Sequence, residues 1–239
     1  MINQFSRTEI LLGKENMEKL KNSRVAVFGI GGVGGHTVEA LVRSGIGTVD
    51  IIDNDTFSLT NINRQTFATH KTIGRYKVDV AKERLQEINP EIIVNTYKTF
   101  FTPESSKDFD FANYDYVVDA IDTVTGKIEL IMQSKKCNTP IICAMGAGNK
   151  LDPTAFEVED IYKTSVCPLA RVMRSELRKR DVKSLKVVYS KEEPIKPKFT
   201  SEEKKGNQPA PGSTAFCPSV MGLIIASEVI KDITQTKKF

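Results

Sequence analysis

The sequence predicts an α/β protein: a Rossmann-like, doubly wound, mostly parallel sheet with a C-terminal α/β extension. Three observations lead there. Apolar runs of strand length alternate with helical periods. The first strand, Arg24–Phe28, empties into Gly29-Ile-Gly31-Gly32-Val-Gly34, which opens a helix. The second ends at Asp53, about 20 residues beyond the last glycine, where an acid can bind ribose hydroxyls. Strand, glycine turn and helix in that order are the context of a nucleotide-binding loop. Its glycines let the backbone turn and approach a phosphate, and the helix start presents free N–H groups.

Helix Gly34–Ser44 follows the loop, with Gly45 placed to cap it. Strand Val49–Ile52 leads into a long loop and then helix Tyr76–Ile88. There Val78, Ala81, Leu85 and Ile88 share a face, and Asn89-Pro90 stops the helix. Strand Ile92–Tyr97, strand Tyr116–Asp119, helix Thr125–Lys136 and strand Pro140–Ala144 complete the sheet. Beyond Gly148, strands are expected at Ala155–Val158 and Lys186–Tyr189, flanking helix Pro168–Arg180. Residues Lys191–Gly212, rich in Lys, Glu and Pro, are expected to form a mobile loop. A last helix spans Pro218–Ile233, with Pro218 at its first turn. With 239 residues, the economical division is one domain over 1–239. Within it, residues 1–148 form the nucleotide-binding core and 149–239 a substrate-facing extension, with the mobile loop near 191–212.

The glycine loop alone suits a dehydrogenase equally well. Asp53-Asn-Asp55 is followed, however, by Asn61, Arg64, Gln65 and Lys77 rather than by an apolar bed for a nicotinamide. Cations there suit a triphosphate under attack at phosphorus. Asp119 and Asp122 end another strand, where a carboxylate can hold Mg2+ beside phosphates. Taken singly, Arg64 and Lys77 read equally well as solvated charges; in this order they favour ATP over NAD.

These residues resemble the adenylating enzymes related to ubiquitin activators, which include the thiamine and molybdopterin sulfur-carrier activators. The matching elements are the Gly-x-Gly-Gly-x-Gly loop, Asp53, Asn61-x-x-Arg64-Gln65, Lys77 and Asp119-x-x-Asp122. The resemblance assigns Asp53 to ribose, Asn61, Arg64 and Lys77 to phosphates, and Asp122 to Mg2+. It also implies a homodimer in which Arg7 reaches the partner's ATP site. After Gly148 the chain is similar to the tRNA threonylcarbamoyladenosine dehydratases, through Gly146-Ala-Gly148-Asn-Lys-Leu-Asp152-Pro153, Asp160-Ile-Tyr-Lys-Thr-Ser and Pro168-Leu-Ala-Arg171-Val-Met-Arg174. That branch implies a tRNA carrying threonylcarbamoyl-adenosine as partner. It leaves a monovalent-cation requirement and a sulfur-transfer partner open.

The sulfur-carrier activators commonly hold a zinc ion in two Cys-x-x-Cys pairs. Here Cys137, Cys143, Cys167 and Cys217 form no such pair, so no zinc is expected. Cys217 stands next to the last helix, where an N-terminus lowers a thiol's pKa, but packing at a helix start is the simpler role. His36 and His70 have no companion ligands and are expected in loop or helix-surface positions. A formal charge of +4 does not announce a nucleic-acid binder. The clustering of Arg171, Arg174, Arg178, Lys179, Arg180, Lys183 and Lys186 is more informative. By itself it describes a solvated helix face; with the tRNA resemblance it becomes the candidate tRNA surface. No signal-peptide pattern and no membrane-length apolar run are found, so a cytoplasmic, membrane-free protein is expected.

Three functions remain on this evidence: the ATP-dependent tRNA dehydratase, an activator of a ubiquitin-like sulfur carrier, and a nonenzymatic nucleotide-binding module. The first is favoured by the C-terminal match and the missing zinc cysteines. The last leaves the phosphate cations and the metal acid without a task.

Overall fold

The computed structural model describes residues 2–198, 204–205 and 208–236. Its centre is a seven-stranded sheet in the order β3-β2-β1-β4-β5-β7-β6. The strands are β1 (Arg24–Phe28), β2 (Thr48–Ile52), β3 (Ile93–Tyr97), β4 (Tyr116–Asp119), β5 (Ile141–Ala144), β6 (Phe156–Asp160) and β7 (Lys186–Ser190). Neighbours pair in parallel except β6, which runs antiparallel to β7. The expected doubly wound sheet is therefore present, and its extension is continuous with it: β7 lies directly on β5.

Near-continuous apolar strands such as Val25-Ala-Val-Phe28 bury both faces, as a sheet covered by helices requires. On one face lie α3 (Gly34–Arg43), α4 (Lys77–Ile88) and α7 (Phe216–Thr234), closing over Val25, Val27, Leu41, Val49, Met221 and Val229. On the other, α5 (Val124–Lys136) and α6 (Pro168–Arg178) cover a cluster in which Phe28 meets Phe101, Phe109 and Phe111 at ring separations of 4.8, 5.4 and 6.0 Å. Truncating one fully buried residue of this kind, such as Leu41→Ala, costs about 2–5 kcal/mol. Fully buried Asp50 is satisfied by Arg24, Asn95, Tyr97 and Tyr114 at 2.7–3.2 Å. Such satisfaction is what burial of a charge demands.

Several boundaries differ from expectation. Two N-terminal helices, α1 (Ser6–Leu12) and α2 (Lys14–Asn22), were not foreseen. They meet at Gly13, whose φ of 78° turns the chain between them. Ser44 caps α3 and Gly45, at φ 101°, is the left-handed residue just beyond it. Helix α6 ends at Arg178 rather than Arg180. Helix α7 starts at Phe216, two residues before Pro218, because proline is tolerated anywhere in a first turn where its N–H has no partner. Of the expected loop 191–212, residues 199–203 and 206–207 lie outside the described residues. Lys204–Lys205 and Gln208–Pro209 pair antiparallel as β8 and β9. Both legs are fastened to Asn149: Ile195 N and Gly212 N donate to its carbonyl and side-chain oxygens at 2.8 and 2.7 Å. No helix among the described residues is long and apolar enough to cross a membrane.

Candidate active site

The carboxyl ends of β1, β2 and β4 lie side by side, the end of a parallel sheet at which a ligand crevice opens, and the glycine loop follows β1 there. The four glycines do different work. Gly29 sits at φ 89°, and a Cβ there would lie 2.6 Å from the Ala120 carbonyl oxygen. At Gly34 a Cβ would fall 1.8 Å from the Gly29 carbonyl, so helix and strand meet there only through glycine. At Gly32 the neighbours are Pro218 and the Arg64 stem, at 3.2 and 3.3 Å. Gly31 opens onto space, with nothing nearer than Gln65 Nε2 at 4.0 Å, which leaves bare backbone where a phosphate or ribose would lie. Gly31→Ala is accordingly expected to melt close to the parent protein while ATP affinity falls about tenfold or more. Gly34→Ala should fail to fold. Calorimetric ATP titration and thermal melts check the pair.

Asp53 ties the glycine loop to the segment that follows β2. Its Oδ2 accepts from Ile30 N at 2.7 Å and its Oδ1 from Asp55 N at 2.8 Å. Lys77, the first residue of α4, has a nearly buried ammonium 2.7 Å from Asp55 Oδ2 and 3.7 Å from Asp53 Oδ2. Asn61 is buried and its Oδ1 caps the short turn Leu59–Asn61 through Ser58 N at 3.1 Å. Arg64 Nη1 donates to Thr60 O at 3.0 Å and to Asn63 Oδ1 at 2.9 Å. Gln65 is buried with its Oε1 unpartnered, an acceptor that a nucleotide donor could satisfy. Gly31, Asp53, Asn61, Arg64, Gln65 and Lys77 thus gather around one crevice.

Two neighbours escaped the sequence. His36 does not stand on the surface: its Nε2 lies 3.2 Å from Arg64 O, fixing the arginine's backbone from the first turn of α3. Asn63 bridges Arg64 to the chain before α7, with Nδ2 donating to Ser213 O at 3.0 Å.

The two acids after β4 separate. Asp119 is fully buried against Lys127, whereas Asp122 is exposed beyond the strand end. Among the described residues no three His, Cys, Asp or Glu side chains converge on a metal position. A Mg2+ held mainly by phosphate oxygens needs only one or two protein carboxylates, so the donor set fits a metal that arrives with ATP.

The basic cluster is largely committed elsewhere. Arg174 Nη1 donates to Thr164 O at 3.0 Å and also to its hydroxyl. Arg178 lies over the Tyr162 ring at 5.3 Å. Lys179 and Arg180 pair with Glu176 at 2.6 and 2.8 Å, and Lys183 with Asp181. Lys186 faces away from the crevice, toward Glu228 and Asp232 at 3.1 and 2.8 Å. Arg171 is exposed, and among the described residues its guanidinium makes no such contact.

Arg7 is exposed on α1, beside Ile10 and Leu11, which are 81% and 85% exposed. Cys217 lies within the first turn of α7, fully buried, with Sγ 3.4 Å from the Lys150 carbonyl. Burial pushes its thiol pKa up, the opposite of the lowering expected at a helix start. Cys143 and Cys167 are buried too, and Cys137 is half-buried.

The profile of the ThiF family matches residues 5–239. A tRNA threonylcarbamoyladenosine dehydratase of Bacillus subtilis is 45% identical over 242 residues, covering 98% of this chain and 95% of that one. An adenylyltransferase and sulfurtransferase of Candida glabrata is 32% identical over 60% of this chain and 33% of its own length. Among solved structures, the Escherichia coli tRNA N6-threonylcarbamoyladenosine dehydratase in complex with ATP superposes with a TM-score of 0.88 at 32% identity, covering 97% of this chain and 94% of that one.

Proposed function

This chain belongs to the ThiF family, and on that premise we propose that it is an ATP-dependent tRNA threonylcarbamoyladenosine dehydratase. The observation that carries it is the end-to-end similarity to a dehydratase, supported by a site whose residues suit a nucleoside triphosphate. The substrate is a tRNA bearing threonylcarbamoyl-adenosine beside the anticodon. Its free threonyl carboxylate attacks the α-phosphorus of ATP, the bond to pyrophosphate breaks, and a mixed carboxyl–AMP anhydride remains. The neighbouring carbamoyl group then closes a ring on the activated carbonyl and AMP leaves. Closure is intramolecular, so proximity supplies much of the rate and no enzyme nucleophile is required.

The chain's residues divide this work. The Gly29–Gly34 loop and Asp53 receive phosphates and ribose. Asn61, Arg64, Gln65 and Lys77 orient the triphosphate and stabilise charge on the transferred phosphorus. Asp122 holds Mg2+, which supplies further charge neutralisation when bound. Arg7 enters from a second copy in a homodimer; the exposed Ile10 and Leu11 beside it support such a cover. Residues 1–239 act as one domain, with 149–239 facing the tRNA, in the cytoplasm. The burial of Cys217 and its raised pKa favour a packing role over a sulfur relay, and the sulfur-carrier activator is the second reading because its similarity covers a smaller part of both chains.

The deciding experiment is mass spectrometry of tRNA nucleosides after incubation with pure protein, ATP and Mg2+. A nucleoside lighter by one water is expected, and thermal stabilisation by Mg-ATP but not by NAD should accompany it. Unmodified tRNA combined with adenylation of a Gly-Gly-ending carrier protein would transfer the chain to the activator class.

For the tRNA surface, Arg171 carries more weight than its neighbours. Arg171→Ala is expected to lower the slope of log affinity against log salt by roughly one unit, as one phosphate contact does. Lys179→Ala, whose charge is already paired with Glu176, should change it less. Filter binding across a salt series checks both; equal slopes for parent and Arg171→Ala would place the surface elsewhere.

A further inference from the structure

Once the nucleotide residues have their tasks, two buried lysines are left over among the described residues, Lys127 and Lys150, and of these Lys127 is the one paired with a buried carboxylate. Lys127, on α5, is fully buried, as is the Asp119 it faces. Its Nζ donates to both Asp119 carboxylate oxygens at 3.0 Å and to the Ala144 carbonyl at 2.7 Å. A single ammonium therefore joins the end of β4, the end of β5 and a helix. Asp119 in turn accepts from Ile121 N at 3.3 Å. Between them, Ala120 N donates to Phe28 O at 2.8 Å, and the Ala120 carbonyl is the surface against which Gly29 packs. The pair thus sits beneath the turn that leads from β4 to Asp122 and packs against the glycine loop.

Stability does not account for it. Removing two charges from water offsets much of their attraction, and apolar residues of similar volume commonly serve as well or better. What a buried, fully bonded pair adds is a unique geometry. That geometry is imposed where three strand ends must keep a common register around a nucleotide.

We propose that Asp119 and Lys127 are positioning residues for the adenylation step, fixing the turn 120–122 so that the Asp122 carboxylate faces the nucleotide phosphates. Neither residue touches the substrate; both act through Asp122. The inference rests on the magnesium role given to Asp122 above.

The test uses the full chain carrying Asp119→Leu and Lys127→Met together, which leaves no buried charge unpaired. ATP affinity is measured by calorimetry in EDTA and in excess Mg2+, and the ratio of the two is the metal's contribution without any turnover. The double variant is expected to melt near the parent and to keep its metal-free affinity within about twofold, while the ratio falls about tenfold. With tRNA and Mg2+ present, KM for ATP should rise with that loss and kcat should fall as well. Lys127→Arg, which keeps the charge on a longer planar head, should give an intermediate ratio, and it decides the matter if the double variant does not fold. An undiminished ratio in a folded double variant, or in Lys127→Arg where the double does not fold, overturns the proposal. So does an equal fall in metal-free affinity, which would mean a general collapse of the crevice. Asp122→Ala in the same titration separates the two readings. If it keeps the ratio, the magnesium assignment fails; if it alone loses the ratio, only the positioning role fails.

Discussion

Lys77→Ala is expected to lower ATP-dependent AMP formation by about two to three orders of magnitude, the loss typical of removing one preorganised donor from developing charge. On the proposed role the ammonium is held ready. It projects from the start of α4 into the crevice, its side chain 7% exposed, between Asp55 at 2.7 Å and Asp53 at 3.7 Å. An arriving triphosphate competes with Asp55, whose side chain is 62% exposed and readily rehydrated. Stability should drop by only about 1–2 kcal/mol, since Asp53 keeps its two amide donors when the lysine is gone. Asp55→Asn is the informative companion: it loosens the resting contact without removing the cation, so AMP formation should stay within about threefold of the parent. Pyrophosphate release and a thermal melt on each variant check these outcomes. Near-parental turnover in folded Lys77→Ala would remove the residue from the phosphate site.

The sheet was legible because its signals are local. Val25-Ala-Val-Phe28 running into glycines, and acids at the ends of apolar strands, report strand, turn and crevice without reference to the rest of the chain. The N-terminal helices were not legible for a physical reason. Helix α1 buries none of its residues and α2 only Leu20, with Leu12 and Met17 partly buried against the core, so too few apolar positions are present to mark a helical face. The site was legible as a set of residue types but not as a set of contacts. Asp119 and Asp122 look alike at a strand end; what separates them is Lys127, eight residues on, which reads from sequence as an ordinary helix cation. The partners of the basic run after Pro168 were missed for a similar reason. Charge was counted without the partners, although Glu176 stands three and four residues before Lys179 and Arg180, the spacing at which helix ion pairs form. Cys217 was placed outside a helix that in fact begins before it, and a thiol inside that turn is packed rather than presented.

Arg7→Ala alone and Lys77→Ala alone should both be nearly inactive, yet a mixture of the two should recover activity. The expectation follows from where Arg7 stands. It lies on α1, a helix with no buried residue, and shares that helix with Ile10 and Leu11, both more than four-fifths exposed. Apolar side chains presented together in this way mark a surface that another molecule covers, and in a symmetric pair the covering molecule is a second copy. Arg7 would then act in the partner's crevice rather than its own. In a heterodimer of the two variants, one crevice combines an intact Lys77 with an intact Arg7 from the opposite chain, while the other lacks both. With free exchange, half the dimers are mixed and half of their sites are complete, so about one quarter of parental activity should return. Differently tagged chains, co-purified to prove exchange and assayed for cyclic nucleoside yield, provide the measurement. Proven heterodimers without recovered activity would confine Arg7 to its own subunit or take it out of the chemistry altogether.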